Sequence, residues 1–193
     1  MLAALLKNIL PAAVGIFFAC FPFLWCRARG ESPESYGLRL GVSRAGFYEC
    51  AAVTFLILTT LTLVSINWPG EDLPRRVGLT RALKMASDGA GAALVEEIFF
   101  RGWLQPMLRK KFRAAAAVIL TSVVFAAAHV FVAQVSFMIA VFFMGCVMCF
   151  LRERHGDIAT ATLFHAAGNI WAIWFVPSHF FSLTEWAEQL GLL

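Results

Sequence analysis

Hydrophobic positions run along this chain in blocks about the length of a bilayer-crossing helix. Residues 114–151 form 38 consecutive positions without Asp, Glu, Lys or Arg, and His129 is the one imidazole among them. A membrane helix takes about 20 apolar residues, so this run predicts two spans. Ile9–Cys26 is a further 18 residues without a charge. Residues 45–66 are apolar apart from Glu49 and close on Trp68-Pro69-Gly70, an aromatic interface anchor followed by chain breakers. Ile158–Val176 gives 19 residues with one ionisable group, His165. Residues 82–112 follow a helical pattern yet hold Lys84, Asp88, Glu96, Glu97 and Arg101. The pattern predicts an all-α, polytopic transmembrane helix bundle of about six spans, near 9–26, 45–66, 85–108, 114–132, 135–151 and 158–176.

Composition points the same way. Of the 193 residues 60% are hydrophobic and 15% charged, where a soluble domain averages about 25% charged. A net charge of +4 alongside 19 Phe and 6 Trp excludes a disordered or nucleic-acid-binding chain. No segment outside the spans exceeds about 20 residues, so residues 1–193 read as a single integral membrane domain.

The first span is expected to be retained rather than cleaved as a signal peptide. Its apolar run exceeds the usual 7–15 residues and no small-x-small site follows. Short-loop Lys and Arg set orientation. One side receives Arg27, Arg29, Arg39, Arg44, Arg109, Lys110, Lys111, Arg113, Arg152 and Arg154, ten in all. The other receives five: Lys7, Arg75, Arg76, Arg81 and Lys84, with a tail bearing Glu185 and Glu188. That bias places both termini outside the cytoplasm. The five cysteines lie in or at the ends of apolar spans and read as small hydrophobes. Cys146 and Cys149 have metal-ligand spacing, but there is no second pair to complete a zinc site.

The candidate chemistry sits in polar residues at membrane depth, where each is costly and a functional candidate by default. In Glu96-Glu97-Ile-Phe-Phe-Arg101, Glu97 and Arg101 are four apart in the favourable acid-first order for an ion pair. Glu96 lies about 100° round the helix, without that local partner, and faces something else. The bland alternative is two acids at an interfacial helix end. In Phe125-Ala-Ala-Ala-His129 the aromatic and the imidazole share a face, with alanines that permit close helix approach. His165-Ala-Ala-Gly-Asn169 repeats that design. Either histidine alone could be no more than a satisfied interhelical hydrogen bonder.

Spacing links the clusters. With the hairpin tip near Arg113, Glu96 lies 17 residues before it and His129 lies 16 after. Both are then about 25 Å from the tip on adjacent antiparallel helices, where an acid and an imidazole can share a water. A straight-helix count from Asp157 leaves His165 about 10 Å shallower than His129, a gap that tilt or a longer fifth helix must close.

Glu-Glu-x-x-x-Arg at 96–101, Phe-x-x-x-His at 125–129 and His-x-x-x-Asn at 165–169 resemble the three motifs of the CPBP family of intramembrane proteases. That family includes CAAX prenyl endopeptidases and bacterial proteins tied to bacteriocin processing or immunity. The resemblance covers residues 85–176, the expected catalytic core, and extends to Arg101-Gly-Trp-Leu-Gln. It implies that Glu96 and His129 activate the attacking water, His165 and Asn169 stabilise the oxyanion, and Glu97, Arg101 and Phe125 support them. It also implies a glutamate protease without cofactor or metal, acting on a membrane-anchored protein or peptide in a bacterial cytoplasmic membrane.

The residue types fit that chemistry, since peptide hydrolysis needs a base, a polarised water and donors aimed at the oxyanion. No Ser or Cys stands in the motifs to act as nucleophile. Two alternatives stay open. Glu96, His129 and His165 could hold a zinc ion with an open position for water. The same pocket could instead serve a non-catalytic bacteriocin-immunity or membrane-peptide-binding protein. The predicted orientation puts Glu96 and His129 towards the outer half of the bilayer. That suits trimming of C-terminal anchor helices, as in the JDVT-CTERM type, better than cytosolic CAAX processing.

Overall fold

Helices form along the apolar blocks, as a bilayer requires of a backbone that must satisfy its own hydrogen bonds. The structure, a computed structural model, describes residues 2–129 and 135–177. The end of the fourth expected span at 130–132 and the tail acids Glu185 and Glu188 lie outside the described residues. The helices are α1 (Leu2–Arg29), α2 (Arg44–Ile66), α3 (Leu79–Phe99), α4 (Gln105–Arg109), α5 (Ala114–Ala128), α6 (Val135–His155) and α7 (Ala159–Phe175). A 3₁₀ turn at Pro33–Tyr36 interrupts the loop between α1 and α2, and no strand occurs among the described residues. The chain is an all-α helix bundle.

Helices α3 and α4 are one rod with a π-helical turn, Phe100–Leu104, set into it. The cause lies two residues downstream of the turn's end. Pro106 has no N–H, and in an unbroken helix its ring would crowd the carbonyl of Gly102. The chain responds by widening one turn, and the Gln105 N–H donates to Phe100 O, five residues back.

Helix ends are closed by named groups. Ser43 Oγ accepts from Gly46 N at 3.0 Å and starts α2. Asp157 Oδ1 accepts from both the N–H and the hydroxyl of Thr160 at 2.8 Å and starts α7. At the far end of α7, Arg75 donates to carbonyls of the last turn: its N–H to Trp174 O at 2.9 Å and its guanidinium to Ala172 O at 3.2 Å and to Val176 O.

Helix α3 packs between α1 and α7, α5 packs on α6, and α2 lies against α7. The core joins Cys50, Phe100, Phe125, Val141, Met148, Leu151 and Phe164. An aromatic seam binds α1 to α3, with Phe18 stacked on Phe99 at 4.4 Å and Phe21 edge-on to Trp103 at 4.8 Å. Outward surfaces remain apolar, and Phe55 and Leu56 on α2 are 75% and 67% exposed. Helices α1 (over Ala12–Arg29) and α2 are long and apolar enough to cross a membrane. At 1.5 Å per residue α2 reaches about 35 Å, more than the ~30 Å hydrocarbon core.

At one end of the bundle the basic loops meet. Lys110 donates to Tyr36 Oη at 2.8 Å and sits 3.6 Å from Glu31, while Tyr36 itself donates to Glu31. Arg109 pairs with Glu153 at 3.2 Å, and Arg154 with Glu49 at 2.6 Å.

Candidate active site

Glu97 is fully buried, and so is Arg101 one turn on. Arg101 Nη1 donates to Glu97 Oε1 at 2.7 Å, and Arg101 Nη2 donates to Gly145 O at 3.1 Å. The second bond needs a close approach by α6. Gly145 allows it, because a Cβ there would stand 3.1 Å from the Ser122 Cβ. The guanidinium carbon also lies 4.3 Å from the centre of the Phe125 ring. A buried charge pair depends on such added partners, and the pair's capacity is only partly met, since Arg101 Nε and Glu97 Oε2 are buried without a hydrogen bond.

His165 joins this pair from α7. Its Nδ1 lies 2.9 Å from Glu97 Oε1. A carboxylate only accepts, so Nδ1 is the protonated nitrogen. Its Nε2 faces Glu96, with 3.8 Å to Glu96 Oε2. That oxygen is buried and has no hydrogen-bond partner. Both glutamates keep an unpartnered Oε2, but they stand in different settings: Glu97 is tied through Oε1 to Arg101 and His165, whereas Glu96 faces His165 Nε2 with no hydrogen bond to its Oε2.

His129 ends α5, and its Nδ1 lies 2.9 Å from the Phe125 carbonyl oxygen. A carbonyl also only accepts, so this imidazole carries its proton on Nδ1 and leaves Nε2 as an acceptor when neutral. Among the described residues no hydrogen bond or ion pair joins His129 to Glu96 or His165. Phe125 connects them instead, its ring 4.9 Å from that of His129 and 5.6 Å from that of His165. Asn169, one turn beyond His165, donates from Nδ2 to Gly89 O at 3.0 Å.

The gap that a straight-helix count leaves at His165 is closed, since His165 lies against Glu97 and Glu96. The contacts His165–Glu97 and Asn169–Gly89 fix an antiparallel register that sets the start of α7 beside the π-turn. The α6–α7 turn therefore lies further into the bundle than the α4–α5 turn, and the two hairpins cannot be counted from a common plane. Among the described residues no three His, Cys, Asp or Glu side chains gather as a metal-holding group, the set Glu96, His129 and His165 included.

Several residues around the centre carry no recognisable spacing in the sequence. Gly89 accepts from Asn169, and Gly145 accepts from Arg101. Gln105, fully buried, donates to Cys149 O and to Glu153, both at 3.0 Å. Arg152 donates to Arg101 O at 3.2 Å. Each acts across helices, so no local pattern marks it.

A helical membrane bundle that buries carboxylates and imidazoles together has the chemistry of an intramembrane hydrolase. Residues 51–171 match the family described as type II CAAX prenyl endopeptidase Rce1-like, and the chain belongs to that family. The match spans all three polar clusters. Neither the comparison with curated proteins nor that with solved structures gives a match. By family the chain is an intramembrane endopeptidase.

Proposed function

We propose that this endopeptidase hydrolyses a peptide bond of a membrane-anchored protein or peptide with a water activated by Glu96 and His129. The observation that carries the reading is the buried Oε2 of Glu96, without a hydrogen bond and 3.8 Å from His165 Nε2, beside a Glu97 already tied through Oε1 to Arg101 and His165. Glu96 and His129 Nε2 are two acceptors for one water, which polarises both its O–H bonds. The water oxygen attacks the scissile carbonyl carbon as Glu96 takes its proton. The tetrahedral oxyanion is met by the amide of Asn169, whose second N–H remains after its bond to Gly89, and by His165 when Nε2 carries a proton in addition to Nδ1. The C–N bond then breaks, and the proton held by Glu96 leaves with the amine.

Glu97, Arg101 and Phe125 are positioning residues. The carboxylate of Glu97 orients the His165 ring, Arg101 holds Glu97, and Phe125 separates the two imidazoles. A second reading draws on the same contact, since a carboxylate on Nδ1 is also how proteins orient a zinc-ligating histidine.

The bundle is read as multi-pass, with its basic end in the cytoplasm. Glu96 precedes Arg109 by 13 residues, which sets it about 20 Å from that end, nearer the outer face. C-terminal anchor helices of exported proteins are the substrate class that fits such a depth. The test is Glu96→Gln and His129→Ala in proteoliposomes bearing a library of membrane-anchored peptides. Both variants should fold and lose cleavage. Turnover at the wild-type rate in Glu96→Gln would overturn the mechanism. Peptide binding without cleavage by the wild type would favour the non-catalytic alternative.

A further inference from the structure

The π-turn leaves a main-chain acceptor without its helical donor. In an α-helix Arg101 O would accept from Gln105 N, but that N–H is turned to Phe100 O. The next N–H along would belong to residue 106, which is proline. Arg152, arriving on α6, supplies the missing donor: its Nε lies 3.2 Å from Arg101 O. The same guanidinium donates through Nη2 to Tyr36 O at 2.9 Å. One fork thus ties the α1–α2 loop to the π-turn.

The loop is shaped for that contact. Gly37 has φ 75°, and a Cβ there would stand 2.9 Å from Arg152 Nη2. A Cβ at Gly102, inside the π-turn, would run into the Leu38 side chain. Two glycines, one on each partner, therefore let the loop and the turn close on each other. Arg101 is held at both ends: its carbonyl by Arg152 and its guanidinium by Glu97, which in turn holds His165.

We infer that Arg152 is a positioning residue for the peptidase reaction, clasping the π-turn so that Arg101 and Glu97 keep His165 aimed at Glu96. The inference rests on the function proposed above for Glu96 and His165. Lysine cannot replace the fork, because a single ammonium lacks two donors at fixed separation.

The experiment compares wild type, Arg152→Ala, Arg152→Lys and Gly37→Ala in detergent micelles, with cleavage kinetics, amide hydrogen exchange at residues 100–105 and the ¹⁵N shift of His165 Nδ1. The expected result for Arg152→Ala and Arg152→Lys is a fall in kcat of about tenfold or more at nearly unchanged KM, since small misplacements of reacting groups cost that much. Exchange in the π-turn should quicken, that in α5 should not, and the His165 signal should move. Gly37→Ala should shift all three readouts the same way by less, and it keeps the test open should Arg152→Ala fail to fold. Unchanged exchange and an unmoved His165 signal in folded Arg152 variants would overturn the clasp, and so would a loss confined to KM. If the wild type cleaves nothing while the π-turn still loosens, the clasp stands and the peptidase reading fails.

Discussion

One oxygen of Glu97, Oε1, accepts from Arg101 Nη1 at 2.7 Å and lies 2.9 Å from His165 Nδ1. This contact joins α7 to the rod that carries both glutamates, and it makes the fully buried Glu97 the shared partner of a guanidinium and an imidazole. Glu96, the preceding residue, has neither of these bonds, and its unpartnered Oε2 faces His165 Nε2. Helical geometry creates the division, because a step of one residue turns a side chain by about 100°.

Glu97→Gln should therefore cost stability first. It leaves Arg101 buried without its counter-charge, a change that typically costs about 3–5 kcal/mol. Adding Arg101→Met should recover part of that loss, since a neutral pair is less costly than a lone buried charge. Denaturant unfolding of the micellar protein measures both. A Glu97→Gln protein as stable as wild type yet inactive would transfer the chemical role from Glu96 to Glu97.

Gly89→Ala probes the contact that holds Asn169. The added Cβ would stand 3.1 Å from the Asn169 Cβ, so α7 must shift by a few tenths of an ångström. Overpacking of this kind costs about 1–3 kcal/mol. Cleavage should fall further than stability alone accounts for, because the Nδ2–Gly89 bond is disturbed as well. Gly91→Ala, with nothing within 4 Å of its added Cβ, should leave both properties unchanged.

The helices were legible in the sequence because a bilayer demands long apolar segments, and α2 matches the 45–66 window within a residue at its start. The Glu97–Arg101 pair was legible because its four-residue spacing is a property of one helix. The depth of His165 was not, since it depends on where the α6–α7 turn sits relative to α3. Nor were the π-turn, Arg152 and Gly145, whose partners lie 44 residues or more away in the chain.

Metal dependence separates the two chemical readings. A Glu96–His129 water needs no ion, so cleavage should survive exhaustive chelation and elemental analysis should find less than one zinc per chain. A zinc held by Glu96, His129 and His165 would be lost slowly to chelator and would restore the rate when returned. Restoration by zinc would replace the metal-free mechanism.

The α1–α2 loop should respond to acid. Tyr36 donates to Glu31, and together with Lys110 and Arg29 this holds the Glu31 carboxyl below its ordinary pKa. A depressed carboxylate stabilises the docked loop above its unfolded pKa, and that contribution is lost as pH falls through the folded value. Loop docking should thus weaken on the acid side of the usual carboxylate range. Limited proteolysis between Gly30 and Ser43 against pH measures it. Glu31→Gln should remove the acid step, and cleavage that does not vary with pH in the wild type would rule this contribution out.

Orientation is the last prediction, because it decides which substrates can reach Glu96. Arg113 ends the α4–α5 turn at the basic end of the bundle, while Asp72 lies exposed in the loop between α2 and α3 at the other. The five cysteines are all free, so they can be removed without breaking a cross-link. In that background a cysteine placed by Asp72→Cys should react with an impermeant thiol reagent added outside intact cells. One placed by Arg113→Cys should react only after permeabilisation. That outcome puts Glu96, about 20 Å from the basic end, nearer the outer leaflet, within reach of an anchor helix whose soluble part has been exported. Labelling in the opposite sense would invert the bundle. The open carboxylate would then lie nearer the cytoplasm, and a prenylated or other cytosolic C-terminus would become the substrate class to test.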